Sequence, residues 1–147
     1  MNEFLYFDIQ HANYVHDIII NLSGGKHGII NIGLLESALE HIQNDLYYST
    51  IEEKATHLFF AINKFHAFND GNKRSAIALT AYFLQINGFG FKINLFIKKM
   101  ENITVDVADN IVDKDLLQEI ITSIIYEDDY SEELKLKLIA AKAVFKN

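Results

Sequence analysis

Residues 66–74, HAFNDGNKR, combine side chains that could act on a phosphate. His66 precedes Arg74 by eight positions, and Arg74 is the only arginine among the 13 basic residues of the chain. Arginine presents a planar fork of donors that can hold two phosphate oxygens at once, whereas lysine is a point charge. A chain that uses lysine at every other basic position therefore has a chemical reason to keep arginine here.

Gly71 and the residues after it predict an anion-binding turn. A glycine lets the backbone turn where a side chain would clash. The amides that follow it would open a helix, and the start of a helix attracts anions by geometry and by dipole. Lys73 and Arg74 add two positive charges at the same place. The phosphate-loop pattern Gly-x-x-x-x-Gly-Lys-Ser/Thr is absent, so this is not a P-loop.

Three further residues of the motif complete the candidate site. Asp70 offers hard oxygen ligands that suit a magnesium ion shared with phosphates. His66 would end the preceding helix and face the turn, where a histidine can take a proton from a hydroxyl. Phe68 would anchor the loop in the core. The set predicts phosphoryl or nucleotidyl transfer, although a histidine at a helix end and a Lys-Arg pair are each more often structural.

The rest of the chain predicts helices that would hold this motif in place. Proline is absent, so glycine, asparagine and aspartate must set the helix ends. The segment SAIALTAYFLQIN is apolar on nearly every side, which is typical of a helix in the middle of a bundle. The expected helices run from a cap at Asp8 to Gly24–Gly25, from about 32 to 42, from about 51 to 65, from 74 to a stop at Gly88, from roughly 104 to 112, from about 115 to 126, and through SEELKLKLIAAKAVF.

Finer features of these elements are also predicted. In the first helix, the apolar residues Ala12, Val15, Ile19 and Leu22 follow helical spacing and predict one apolar stripe. FGFKINL, residues 89–95, is interpreted as a short strand or an extended connection. Asp129 and Glu132 have the spacing of a capping box for the last helix. The histidines outside the motif form no His-x-x-x-His pair and are interpreted as structural.

Composition limits the classes of protein that the chain can represent. A length of 147 residues predicts about one domain, and half of the residues are hydrophobic. The net charge of −7 argues against direct binding to nucleic acid. The sequence has no apolar run that would span a membrane, no basic leader at its start and no cysteine, so a cytoplasmic location without membrane contact is expected.

HAFNDGNKR resembles the signature of the Fic/Doc family, His-x-Phe-x-Asp/Glu-Gly/Ala-Asn-Gly/Lys-Arg. The lysine in the eighth place is similar to the death-on-curing (Doc) branch, as are GLLESALE, EKATHLFFAINKFHAF and KRSAIALTAYFLQINGF. The resemblance extends over roughly residues 4–126. It implies an all-α bundle with a buried central helix in one domain of residues 1–147. Residues 129–147 would form an additional helix outside the resemblance.

The resemblance also implies a role for each residue of the motif. His66 would be the general base and Asp70 the magnesium ligand. The Gly71 amide and Asn72 would line the anion hole. Lys73 and Arg74 would bind the nucleotide phosphates, and Phe68 would anchor the loop. The implied substrates are ATP and a protein hydroxyl, and the implied cofactor is Mg²⁺.

The activity implied by the Doc branch is that of a kinase toxin. Such a toxin transfers the γ-phosphate of ATP to a threonine of elongation factor Tu and stops translation, and it is usually held inactive by a separate antitoxin. The family's inhibitory Ser/Thr-x-x-x-Glu-Gly/Asn motif does not occur, which favours an antitoxin here. Ile77 stands where adenylylating members have a second arginine. Two alternatives stay open, a Fic-type adenylyltransferase and a catalytically silent module that binds a partner.

Overall fold

The apolar segment that follows the motif lies at the centre of the fold. The computed structural model describes residues 3–146, which form seven α-helices. These are α1 (Ile9–Ser23), α2 (Ile32–His41), α3 (Ile51–Phe65), α4 (Asn72–Leu84), α5 (Ile93–Ala108), α6 (Lys114–Tyr126) and α7 (Glu132–Lys146). Helix α4 packs against α1, α3 and α5. Its residues Leu79, Phe83 and Leu84 are fully buried. The all-α class and the central buried helix are therefore confirmed.

Polar caps fix the ends of the helices, as a proline-free sequence requires. The Asp8 carboxylate accepts a hydrogen bond from the His11 amide, and α1 ends before Gly24, as predicted. Helix α3 begins with a capping box of Thr50 and Glu53 that was not predicted. Each cap satisfies an amide that has no acceptor within its own helix. The bounds predicted for α2 and α3 agree with the structure to within one residue.

Helix α1 buries only part of the predicted stripe, since Ala12 is buried and Val15 packs against the core. Its buried residues are Ala12, His16 and Ile20, whereas Leu22 is 82% exposed. The buried positions are four residues apart, which places them on one side of the helix. The prediction was wrong for Leu22 because a search for apolar side chains passes over a buried histidine. The face that packs on the bundle is thus built around His16.

The segment FGFKINL is helical, so the predicted strand or extended connection is wrong. A π-helical turn at Gln85–Phe89 and a 3₁₀ turn at Gly90–Lys92 connect α4 to α5. Gly88 has φ 93° and interrupts regular helix at the predicted stop. Helix α5 then begins at Ile93, well before the predicted start near 104. Within residues 3–146, β pairing is limited to one antiparallel bridge between Ile29 and Phe68.

The predicted capping box of the last helix is also wrong. The cap of α7 is Ser131, whose Oγ accepts a hydrogen bond from the Leu134 amide. Asp129 lies too early in the chain for this role. It instead forms ion pairs with Lys99 and Lys135. Helix α7 packs against α6 and buries Leu134 in the core.

Within residues 3–146, no helix has both the length and the apolarity that are needed to cross a membrane.

Candidate active site

The motif lies in the joint between α3 and α4, and two unusual backbone conformations shape it. His66 ends α3 in the left-handed region, with φ 49° and ψ 54°. Gly71 precedes α4 with φ 71° and ψ 26°. Between them, the Asn72 side chain closes the loop. Its Oδ1 accepts from the Phe68 amide and its Nδ2 donates to the Phe68 carbonyl, both at 3.0 Å. The sharp reversal brings the end of one helix next to the start of the other.

A cavity of about 290 Å³ opens at this joint. Its lining residues are His66, Asn69, Asp70, Gly71, Asn72, Lys73 and Arg74. The structure therefore brings together the motif residues to which catalytic, nucleotide-binding and metal-binding roles were assigned. Phe68 does not line the cavity. It is fully buried beneath the loop, in the position that an anchor of the motif would take.

The α4 side of the cavity is suited to an anion. The amides of Asn72, Lys73 and Arg74 have no acceptor among the hydrogen bonds of residues 3–146, as expected for the first turn of a helix. Neither Lys73 nor Arg74 joins any of the ion pairs of that part of the chain. Two free cations and three free amides in a chain of net charge −7 mark a site for negative charge.

Two groups assigned to the anion hole already have partners in the loop. The Gly71 amide donates to Asp70 Oδ1 at 2.8 Å. The Asn72 side chain is occupied by the Phe68 backbone. Contact of either group with a nucleotide stays a prediction. In this arrangement Asn72 holds the loop closed, and its own amide remains available to an anion.

The Asp70 carboxylate is held in place by two backbone amides. Its two oxygens accept from the Gly71 amide and from the Lys26 amide, the latter at 3.2 Å. These hydrogen bonds, followed by the charges of Arg74 and Lys26, hold the pKa of the Asp70 carboxyl below its usual value. The group is therefore an anion near neutral pH, with lone pairs left on both oxygens.

This geometry fits a magnesium ion that is shared with a nucleotide. Within residues 3–146, no group of three or more His, Cys, Asp or Glu side chains could hold a metal ion. A cage made by the protein alone is therefore not formed there. Mg²⁺ is commonly held by one or two carboxylates together with substrate phosphates. Asp70 beside an anion site provides that combination.

The loop between α1 and α2 packs against the motif loop, which the sequence did not indicate. The amides of Ile30 and Asn31 donate to the Ala67 carbonyl, and the Asn69 amide donates to the Gly28 carbonyl. Backbone hydrogen bonds of this kind leave no trace in side-chain type. Positive φ angles at Gly24, Gly25 and Gly28 are the local feature that lets this loop follow the motif.

Side chains from three helices support the motif and the start of α4. His16 of α1, interpreted from sequence as structural, reaches the Asp70 carbonyl. On the other side, the buried Asn63 of α3 donates through Nδ2 to the Thr104 carbonyl and hydroxyl, both at 2.9 Å. The Thr104 hydroxyl donates in turn to the Lys73 carbonyl. The loop is thus braced by α1, α3 and α5 together.

Comparison with known proteins gives matches over the same region. A family model described as "Fic/DOC family" matches residues 6–84, which include the motif and α1 to α4. A protein of Mycolicibacterium smegmatis named "Toxin Doc" is 32% identical over 96 residues, or 63% of this chain and 74% of the relative. A protein of Escherichia phage P1 named "Protein kinase doc" is 36% identical over 78 residues, or 50% of this chain and 61% of the relative.

Proposed function

Because the chain belongs to the Fic/Doc family and to its Doc toxin branch, we propose that it is the toxin of a toxin–antitoxin pair. More specifically, it transfers the γ-phosphate of ATP to a hydroxyl of a protein target. The leading candidate target is a threonine of elongation factor Tu, whose modification would stop translation. The observation that carries this proposal is the cavity in which His66 and Asp70 face the unpaired cations Lys73 and Arg74.

The proposed reaction uses the side chains as follows. His66 takes the proton of the target hydroxyl, whose oxygen attacks the γ-phosphorus. A new P–O bond forms, the bond from the γ-phosphorus to the β,γ-bridging oxygen breaks, and ADP leaves. Lys73, Arg74 and the first amides of α4 hold the phosphate oxygens, where charge develops. Asp70 would hold Mg²⁺, which supplies positive charge to the phosphates when bound.

The choice of phosphorus rests on two side chains. Lys73 stands where adenylylating members of the family have glycine, so a long cation fills space that they leave open. Ile77 stands where those members have a second arginine that grips the γ-phosphate. Both differences favour the orientation that brings the γ-phosphate to His66. The phage P1 relative is named a protein kinase, which supports the same choice.

The partner is proposed to be a separate antitoxin protein. The M. smegmatis relative is named a toxin. Residues 1–147 contain no copy of the family's inhibitory Ser/Thr-x-x-x-Glu-Gly/Asn motif. An inhibitor that is not part of the chain would then be required to restrain the activity. Co-expression with the product of an adjacent short reading frame should restore growth if that product is the antitoxin.

Labelled ATP tests the activity. The protein is incubated with MgATP, labelled at either the α- or the γ-phosphorus, and with purified elongation factor Tu or a bacterial extract. Transfer of γ-label only, with a mass gain of one phosphate on the target, is expected. Label from the α position would support the adenylyltransferase instead. Label from neither position, on any target tried, would favour the silent binding module.

His66→Ala is the matched control for that experiment. Loss of a general base costs about 10²–10⁴ in rate, while the phosphate ligands Lys73 and Arg74 remain. The variant should therefore bind MgATP, transfer almost no label and no longer arrest growth when expressed alone. A variant that transfers label at the wild-type rate would exclude His66 as the base.

A further inference from the structure

His16 occupies an unusual position for a polar side chain on an outer helix. It lies between Ala12 and Ile20 on the buried face of α1 and is fully buried. Its ring is parallel to that of Phe68, with centroids 4.1 Å apart and an interplanar angle of 6°. Burial of an imidazole requires compensation by hydrogen bonds, because its polar atoms lose water. The hydrogen bonds of His16 therefore show what it is placed to hold.

One nitrogen of His16 has a partner and the other has none. Nε2 lies 2.6 Å from the Asp70 carbonyl oxygen. A carbonyl can only accept, so Nε2 carries the hydrogen and donates it. Nδ1 is buried and has no hydrogen-bond partner among residues 3–146. An apolar side chain of similar size would avoid that unpaired atom, so the packing of α1 alone gives no reason for a histidine at this position.

The bond from His16 acts on one peptide plane. The Asp70 carbonyl and the Gly71 amide belong to the same planar, trans peptide, so they point in opposite directions. His16 holds the carbonyl end, and the amide end donates to Asp70 Oδ1 at 2.8 Å. Gly71, at φ 71°, can adopt positive and negative φ at similar cost, so this plane could rotate without its partner. The His16 hydrogen bond removes that freedom.

We propose that His16 is a positioning residue of the active site. It fixes the Asp70–Gly71 peptide plane and, through the Gly71 amide, the direction of the Asp70 carboxylate. It does not line the cavity and does not touch the proposed base. Its effect on catalysis rests on the proposed function, in which Asp70 holds the magnesium ion of MgATP. Its effect on the loop does not depend on that function.

Two substitutions separate the hydrogen bond from the packing. His16→Phe keeps an aromatic ring against Phe68 but removes the donor. His16→Gln removes the ring but places an amide NH₂ near the position of Nε2. Misplacement of a catalytic group by a fraction of an ångström to 1 Å can cost about 10- to 100-fold in rate. We expect His16→Phe to lower kcat by roughly this factor and to raise the Mg²⁺ concentration for half-maximal rate, with KM for the protein target unchanged. His16→Gln should recover most of both losses.

Backbone NMR gives a readout that needs no activity. In ¹H–¹⁵N spectra, His16→Phe should shift the Gly71 amide resonance, and His16→Gln should return it toward the wild-type position. In the wild-type protein, imidazole ¹⁵N shifts should show the hydrogen of His16 on Nε2, and this measurement remains decisive if either variant fails to fold. Hydrogen on Nδ1, or a Gly71 resonance and Mg²⁺ dependence unchanged by His16→Phe, would overturn the positioning role. If the wild-type protein transfers no label but the Gly71 resonance shifts as expected, the proposed function is refuted and the positioning role is supported.

Discussion

Arg74 differs from the other basic residues on the surface of the protein. It is exposed and unpaired among residues 3–146, and its Nη2 lies 3.7 Å from the point that a Cβ on Gly71 would occupy. The guanidinium thus lies against the turn, next to the free amides at the start of α4. Most lysines of the described chain bond to a carboxylate, a carbonyl or a histidine, for example Lys54 to Asp45. A free cation at the site is available to a ligand.

Replacement of Arg74 by lysine tests whether the fork of donors matters. Arg74→Lys keeps the charge but cannot make two parallel hydrogen bonds to one phosphate. A charge-assisted hydrogen bond contributes about 1.5–3 kcal/mol, so affinity for MgATP should fall roughly 10- to 100-fold. Calorimetric titration measures this directly, with thermal unfolding as the check that the variant folds. Equal affinity in the two proteins would leave Arg74 as surface charge.

The sequence predicted the lining of the site well but not its supports. His66, Asp70, Lys73 and Arg74 could be recognised because the proposed chemistry requires their side-chain types at that spacing. His16 could not, because a histidine on an apolar helix face is usually only a core residue, and its partner is a backbone carbonyl 54 positions away. Contacts to backbone atoms constrain geometry rather than the identity of the partner, so a single sequence does not reveal them.

The loop between α1 and α2 packs its backbone against the motif loop. The Lys26 amide donates to Asp70 Oδ2, and a Cβ on Gly25 would stand 2.6 Å from that same oxygen. Real Cβ atoms do not approach an oxygen so closely, so a side chain at position 25 must displace the carboxylate. Gly25 also has φ 119°, where L-residues are strained.

Gly25→Ala and Gly28→Ala form a matched pair that isolates this contact. Gly28 has a similar φ of 110°, but a Cβ there would meet nothing within 4 Å. Both variants should lose stability from backbone strain, by about 1–3 kcal/mol. Only Gly25→Ala should also raise the Mg²⁺ concentration needed for half-maximal transfer. Equal Mg²⁺ requirements in the two variants would show that the loop does not set the Asp70 carboxylate.

Helices α3 and α6 are joined by a partly buried polar cluster outside the site. His57 Nδ1 lies 2.9 Å from Lys114 Nζ and 3.0 Å from the Tyr48 hydroxyl. Burial, followed by the charges of Lys114 and His41, lowers the pKa of His57 to about 4. The folded protein therefore keeps this ring neutral at pH values where an unfolded histidine is already protonated.

The cluster predicts a stability that depends on pH. Between about pH 6.5 and 4 the unfolded chain binds the proton more readily, so the free energy of unfolding should fall as pH falls. The slope from one such group is at most about 1.4 kcal/mol per pH unit. Chemical denaturation across this range should show a shallower slope for His57→Gln than for wild type. Parallel curves would assign the pH dependence to other groups.

Local sequence signals predicted helix ends better than element type around residues 89–95. Asp8 and Gly24 mark the ends of α1 because capping chemistry acts within a few residues. FGFKINL alternates apolar and other residues, as a strand does, but no described strand lies beside it to accept its hydrogen bonds. The chain instead continues from Gly88 through tight turns into α5. Element type here depends on distant partners, which a local pattern does not contain.

Helix α7 shows whether the whole molecule unfolds as one unit. The family match ends at residue 84. Helix α7 contacts the core through Leu134, which is 5% exposed, and through the partly buried Leu138. Lys137 and Lys142 add ion pairs to Glu119 and Asp106. Surface pairs of this kind contribute little, so Leu134 should carry most of the attachment. We expect one cooperative unit of residues 1–147.

Two leucines of α7 test this expectation. Leu134→Ala should lower the free energy of unfolding of the whole protein by about 2–5 kcal/mol, because it leaves a cavity in the shared core. Leu136, which is 63% exposed on the same helix, is the control, and Leu136→Ala should change stability by less than about 0.5 kcal/mol. Denaturation should give the same single transition whether it is followed by circular dichroism or by the near-UV signal of the tyrosines. A separate early transition confined to Leu134→Ala would make α7 an independent appendage.

The left-handed backbone at His66 is a conformation that other residue types adopt at lower cost. Glycine and asparagine accept this conformation more readily than histidine does. Either substitution would relieve the backbone and remove the proposed base at the same time. We therefore expect loss of activity to coincide with an increase in the free energy of unfolding, whereas most substitutions lower it. A histidine codon becomes an asparagine codon by one nucleotide change. In a host that is harmed by such a protein, inactive and well-folded variants would arise readily. The histidine should therefore persist only where selection maintains it.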